Sequence, residues 1–214
     1  MQPASLATSG TARLHQRALR LEWATLLWNS IEAIIAIGSG TVAGSTALVA
    51  FGIDSLIEVS SALVVLWRLL RAGPNSSVED ALEIDARAHL LVGITFFLLA
   101  AYVLVDASLA LINRTVPEGS PVGTALAIAS LIAMPLLASA KRRTGIQMGS
   151  KALQADAIET WLCAYLSFAL LLGLVLNSQF GLWWADPAAA LAMVPFMVWQ
   201  GRSAIAEARS PDHD

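Results

Sequence analysis

The sequence predicts an all-α integral membrane protein, a bundle of six transmembrane helices with both termini in the cytoplasm. Of the 214 residues, 57% are hydrophobic and only 14% are charged, and the mean hydropathy is +0.66. Soluble domains average about 45–50% apolar and about 25% charged residues, so this chain has too little polar surface to cover itself in water. We therefore expect multi-pass insertion into the lipid bilayer of the cell membrane.

Six apolar blocks supply the helices. Each is close to the ~20 residues that a helix needs to cross the hydrocarbon core. Stretches rich in Gly, Pro, Asn and Ser separate the blocks and predict short loops. The predicted spans are 23–40, 46–67, 88–111, 122–140, 152–177 and 183–200.

The positive residues predict the orientation, because Lys and Arg are retained on the cytoplasmic side during insertion. Of the 13 Lys and Arg residues, all but Arg114 fall on the tails and links that six spans place on one side. We therefore expect a basic cytoplasmic tail at 1–20, a six-helix transmembrane domain at 21–200 and a short cytoplasmic tail at 201–214.

Composition and motifs exclude several classes of function. A formal charge of −3 leaves no basic stripe for nucleic acid, and a single cysteine, Cys163, excludes an intramolecular disulfide or a multi-cysteine metal cluster. The sequence contains no Ser/His/Asp arrangement and no glycine-rich phosphate loop. We expect neither an enzyme nor a prosthetic group.

Acidic residues lie inside the predicted spans, whereas Lys and Arg do not. A carboxylate at mid-bilayer costs a few kcal/mol even on lenient insertion scales, so each acid requires a proton, water or a cation. The acids are Glu32, Asp54, Glu58, Asp106, Asp156, Glu159 and Asp186. This imbalance predicts that the protein handles cations within the membrane.

Depth and spacing predict a metal site at mid-membrane. Counting about 1.5 Å per residue from the basic ends places Glu32, Asp54, Glu58, Glu159 and Cys163 in the middle layer. Asp54 and Glu58 are spaced i, i+4, as are Glu159 and Cys163, so each pair lies on one face of its helix. Three carboxylates and one thiolate suit tetrahedral zinc, cadmium or cobalt better than magnesium or calcium.

Other residues allow alternative readings. Asp156 lies on the same face of the fifth helix as Glu159 and Cys163, about 7 Å from the cytoplasmic end. It is either an entry ligand or an acid near the helix start. Cys163 alone is also explained as a small buried hydrophobe, and the second-helix acids as a structural hydrogen-bonded pair. Glu32 is a proton carrier, an outer-shell partner of the metal site or an interhelical contact. Asp106 lies near the outer face.

The residues resemble the cation diffusion facilitator family of metal/proton antiporters. The resemblance rests on Phe-Gly-Ile-Asp-Ser-Leu-Ile-Glu at 51–58, on a second i, i+4 pair in the fifth helix, and on Trp-Trp-Ala-Asp-Pro at 183–187. It implies export of a divalent transition metal from the cytoplasm in exchange for protons, and a homodimer. Zinc is favoured, with cobalt, cadmium, iron and manganese as alternatives.

The resemblance also implies a register for the fifth helix. Counting back from Asp186 by the family's spacing places Glu159 and Cys163 on the metal-binding pair. The register that pairs Asp156 with Thr160 stays open.

The chain departs from the family pattern in three ways. A Glu/Cys pair is atypical, the link at 141–151 has no histidine, and only a short tail follows residue 200 where the family has a cytoplasmic domain. We therefore expect a short form of the family without that domain. A non-transporting membrane module for metal sensing or assembly is the alternative function, and a channel is a third.

The distribution of positive charge generates a topology prediction. In a Cys163→Ser background, cysteines substituted near Ser76 and Gly145 should react with an impermeant thiol reagent only from the cytoplasm. A cysteine substituted near Glu118 should react only from outside. The opposite labelling pattern would contradict the six-helix model.

Overall fold

A computed structural model describes residues 3–71 and 78–209, and within these ranges it describes the side chains of all residues except 3–11, 71, 78–89, 92, 151 and 207. Within the described residues every regular element is an α-helix. The helices are α1 (Pro3–Ala43), α2 (Thr46–Arg71), α3 (Val78–Asn113), α4 (Pro121–Met148), α5 (Lys151–Phe180) and α6 (Ala185–Arg209). The predicted all-α class with six helices is confirmed.

Five of the described helices, α1 to α5, are long and apolar enough to cross a membrane. α6 has 25 residues, and Asp186 and Arg202 interrupt its apolar run. Large apolar side chains cover the outside of the bundle, as at Ile34 and Ile112, which are 74% and 75% exposed. Apolar side chains facing outward suit lipid rather than water, as expected of a multi-pass membrane protein.

Several helices continue past the predicted spans. α1 begins at Pro3, α4 runs on to Met148 and α6 to Arg209. The predicted spans contain no Lys or Arg, but α4 extends past its predicted span and includes Lys141, which is fully buried. The run Lys-Arg-Arg at 141–143 suggested a loop, but the helix continues through it for two more turns.

A two-residue turn reverses the chain between α4 and α5. Gly149 adopts φ 66°, a left-handed conformation that favours glycine, and ends α4. The next residue, Ser150, donates its N–H to Gly145 O at 2.9 Å, and its side chain caps α5 by accepting from Leu153 N at 3.3 Å. The helices therefore pack as an antiparallel hairpin.

The helices form two groups. α1 packs chiefly on α2, and α4 on α5; contacts of α1 with α4 and of α2 with α5 join these pairs into a four-helix body. α3 packs chiefly on α6, and this α3–α6 pair contacts the body through α2 and α5. The junction between the four-helix body and the α3–α6 pair therefore runs along α2 and α5.

The α1–α2, α3–α4 and α5–α6 connections meet at one end of the bundle, the loop end. Glu118 N–H donates to Ala43 O at 2.8 Å, and the Asn177 amide donates to Pro117 O at 2.9 Å. The α4–α5 turn lies at the opposite end, the terminal end. The distribution of positive charge predicts that the terminal end faces the cytoplasm.

Glycines bring α3 and α6 into backbone contact. A Cβ atom added at Gly93 would lie 2.6 Å from Ile205 Cγ1 and 2.9 Å from Gly201 O. Small residues at such crossings allow the close helix packing that drives association in lipid.

Gly93→Val should therefore separate α3 from α6. We expect a loss of about 1–3 kcal/mol in the free energy of unfolding, the usual cost of overpacking, seen as a lower melting temperature in detergent. Gly38→Ala is the control, because a Cβ at Gly38 meets nothing within 4 Å and alanine favours helix by about 1 kcal/mol. Equal melting temperatures for both variants would contradict the packing.

Candidate metal site

A small pocket lies at the junction between the four-helix body and the α3–α6 pair. Three predicted site residues, Asp54, Glu58 and Glu159, line it. Its accessible volume is about 20 Å³, room for one water molecule or one ion of similar size. The remaining walls are Ile57, Phe96, Leu162, Leu166, Phe196, Met197 and Gln200.

The acids of α2 are held inside the bundle. Asp54 and Glu58 are 7% and 5% exposed, and the one-turn spacing places both against the pocket. Neither oxygen of Glu58 makes a hydrogen bond within the described part of the chain, although Thr160 and Cys163 lie beside it. A buried carboxylate without a partner is costly, so Glu58 is available to a proton or a cation.

Cys163 lies next to Glu58 but does not line the pocket. Its thiol is 4.0 Å from Glu32 Oε2. Glu32, fully buried on α1, accepts hydrogen bonds from the hydroxyls of Ser55, at 3.0 Å, and Ser130. The interhelical contact considered for Glu32 is therefore present, and it joins α1 to α2 and α4.

Asp156 points toward α4 rather than into the pocket. Its carboxylate pairs with the Lys141 ammonium, and Glu22 Oε2 lies 3.7 Å from the same nitrogen. Lys141 also donates to Thr160 Oγ1 at 3.3 Å. Both residues of the alternative register, Asp156 and Thr160, thus bind Lys141, whereas Glu159 lines the pocket.

The structure brings the predicted ligands close together without closing a shell. Among the described residues, no three His, Cys, Asp or Glu side chains converge tightly enough to hold a metal ion. Glu58 connects the pocket with Cys163, since it lines the pocket and is a neighbour of Cys163. The complete ligand set, Asp54, Glu58, Glu159 and Cys163 with Asp156, stays a prediction.

Sequence reasoning found only part of a polar stripe on α1 and missed Glu22 and Thr25. Glu22, Thr25, Asn29 and Glu32 are all fully buried, and their spacing of i, i+3, i+7 and i+10 places them on one helical face. Both amide atoms of Asn29 and both carboxylate oxygens of Glu22 lack hydrogen bonds within the described residues. Glu22 precedes the predicted span by one residue, so the periodicity was the signal that could have found it.

The outer acids have separate partners. Asp186 accepts hydrogen bonds from the Ser45 hydroxyl and, at 3.4 Å, from Ala47 N, so it fastens α6 to the start of α2. Asp106 accepts from Thr46 Oγ1 at 2.6 Å and lines an open cavity of about 400 Å³ at the loop end. Neither acid reaches the pocket between α2 and α5.

Comparisons with known proteins agree with this architecture. The model of the cation efflux transmembrane domain matches residues 86–210. Transmembrane protein 163 of Xenopus laevis is 26% identical over 172 residues, which cover 80% of this chain and 60% of that protein. An uncharacterized transporter of Synechocystis sp. is 25% identical over 174 residues, which cover 80% of this chain and 56% of that protein.

The chain spans less than two thirds of the length of these curated relatives. The matched domain nevertheless includes α4, α5 and α6 complete and most of α3, more than half of the chain. This protein therefore belongs to the cation efflux family, whose members transport metal cations across membranes.

Proposed function

We propose that this protein exports a divalent transition metal, with zinc favoured, from the cytoplasm in exchange for protons. The observation that carries the proposal is one ion-sized pocket lined by three carboxylates, Asp54, Glu58 and Glu159, from two helices. Carboxylates inside a membrane bundle are expensive and mark ion pathways. Family membership supports metal cations as the transported class.

The proposed metal shell is Asp54, Glu58, Glu159 and Cys163. Three oxygens and one sulfur match the tetrahedral coordination of zinc, and the thiolate favours zinc, cadmium or cobalt over manganese or iron(II). Because Cys163 borders Glu58, a shift of Glu58 and Cys163 toward the pocket would complete the shell.

Coupling to protons follows from the same ligands. A carboxylate or thiol binds metal only after losing its proton, so metal binding releases protons. One ligand set therefore carries either metal or protons in each direction. The pocket lies at the junction of two helical groups, and rocking of one against the other would expose it alternately to the two sides.

The orientation and the assembly are also proposals. The terminal end faces the cytoplasm, as the positive residues predict. A homodimer, implied by the resemblance to the family, would be held by the membrane helices through packing of small residues.

Proteoliposomes with a more acidic lumen test the exchange. External zinc should enter saturably, and a protonophore that collapses the pH gradient should abolish the driven uptake. Uptake that follows the zinc gradient alone, independent of pH, would indicate a channel. No flux from protein that binds zinc would indicate a sensing or assembly module, and both results contradict the proposal.

Substitutions of the ligands test the site. Asp54→Ala and Glu159→Ala should abolish zinc transport with expression largely intact, because each removes a ligand together with a mid-membrane acid. Cys163→Ser should weaken zinc and cadmium transport more than manganese transport, since a hydroxyl is a harder ligand than a thiolate. Glu118→Ala, an exposed acid at the loop end, is the control and should transport normally.

The alternative register gives the opposite pattern. If Thr160→Ala abolishes transport while Cys163→Ser leaves the zinc and cadmium affinities unchanged, then Glu159 and Cys163 are not the fifth-helix pair.

A further inference from the structure

Lys141 is a fully buried lysine about two turns from the terminal end of α4. An ammonium there is expensive unless carboxylates pair with it. Its partners come from two other helices, Asp156 on α5 by an ion pair and Glu22 on α1 at 3.7 Å. One ammonium group therefore lies between two carboxyl groups.

The Lys141 cluster, meaning Lys141 with Asp156 and Glu22, lies beside the proposed metal site without belonging to the pocket. Thr160, which accepts a hydrogen bond from Lys141 at 3.3 Å, is adjacent in sequence to Glu159. Glu58 lies within electrostatic reach of both Lys141 and Asp156. A change of charge in the cluster therefore changes the electrostatic potential at the pocket.

The geometry also separates the acids of α5 into two sets. Asp156 and Thr160 are one turn apart and face α4, where Lys141 contacts both. Glu159 faces the pocket. Lys141 therefore pairs with Asp156, an acid that would otherwise compete with Glu159 for an arriving cation.

We propose that Lys141 is a positioning residue of the transport reaction: a tethered cation that holds Asp156 out of the metal shell and weakens the site for its metal through its fixed positive charge. The inference rests on the proposed function, because it assigns a role at the same site. A transporter must release its ion as well as bind it, and a nearby fixed charge of the same sign favours release.

The charge role predicts opposite effects for the two partners of the ion pair. Lys141→Met removes a positive charge, so the KM for zinc in proteoliposomes should fall several-fold, on the order of three to ten, with slower maximal flux. Asp156→Asn removes one of the two carboxyl partners of the ammonium, so the local charge becomes more positive and the KM should rise by a similar factor. Glu22→Gln should also raise it, without altering α5.

The double variant Lys141→Met with Asp156→Asn separates a partner from a ligand. Removing both charges together should return the KM toward the wild-type value if Asp156 serves only to pair with Lys141. If Asp156 is itself a metal ligand, the double variant stays as weak as Asp156→Asn, and the proposal is wrong.

Two further variants control for folding and for general charge. Lys141→Arg keeps the positive charge and should keep the wild-type KM. Arg142→Gln and Arg143→Gln remove exposed charges of the same helix and should leave the KM unchanged. If Lys141→Met does not fold, the charge-balanced double variant and Glu22→Gln still decide the question.

The outcomes distinguish this inference from the proposed function. Absence of zinc flux in the wild-type protein contradicts the proposed function itself. Normal wild-type flux with the same KM in Lys141→Met, Asp156→Asn and Glu22→Gln contradicts the role of Lys141 alone. Lower maximal flux at constant KM in all three variants would mean that the cluster is merely structural.

Discussion

The cost of burying charge in a low-dielectric interior governs the arrangement of this bundle. The buried acids differ in their partners: Glu32 accepts hydrogen bonds from hydroxyl groups, and Asp156 pairs with an ammonium. Glu58 accepts no hydrogen bond within the described residues, although Thr160 and Cys163 lie beside it. Buried polar groups are normally satisfied, so an exception requires a functional explanation. Of the carboxylates that lack a hydrogen bond among the described residues, Glu58 is the one that borders both the pocket and the thiol.

Much of the fold could be predicted from the sequence because the bilayer imposes a simple rule on composition. Length and hydropathy were enough to locate every helix, and the helical period was enough to place Asp54 and Glu58 on a common surface. The same period paired Glu159 with Cys163, but of these two residues only Glu159 lines the pocket. Loops rich in glycine marked the turns, because left-handed conformations such as that of Gly149 are costly for other residues.

The rest depended on information that is not local. Lys141 is the first of three consecutive positive residues, and a hydropathy window ends the predicted span there. The helix nevertheless continues, with Lys141 buried and with Arg142 and Arg143 exposed. Glu22 was missed for the same reason, because it lies just before the predicted start of the first span although α1 begins at Pro3. Whether a charged residue near a helix end is buried depends on a partner contributed by another helix, and a single chain read in order does not reveal that partner.

The two-residue turn between α4 and α5 fixes the spacing from Lys141 to Asp156, and this spacing allows the two side chains to form an ion pair. A residue inserted into the first turn of α5 would move Asp156 by about 100° around the helix axis and would carry it away from the ammonium. Proteins usually tolerate changes in loop length. In this hairpin, however, the position of α5 relative to α4 decides whether a carboxylate reaches the buried lysine. Natural insertions and deletions in this hairpin should therefore be rarer than in the connections at the loop end, and where they occur the lysine should be lost with them.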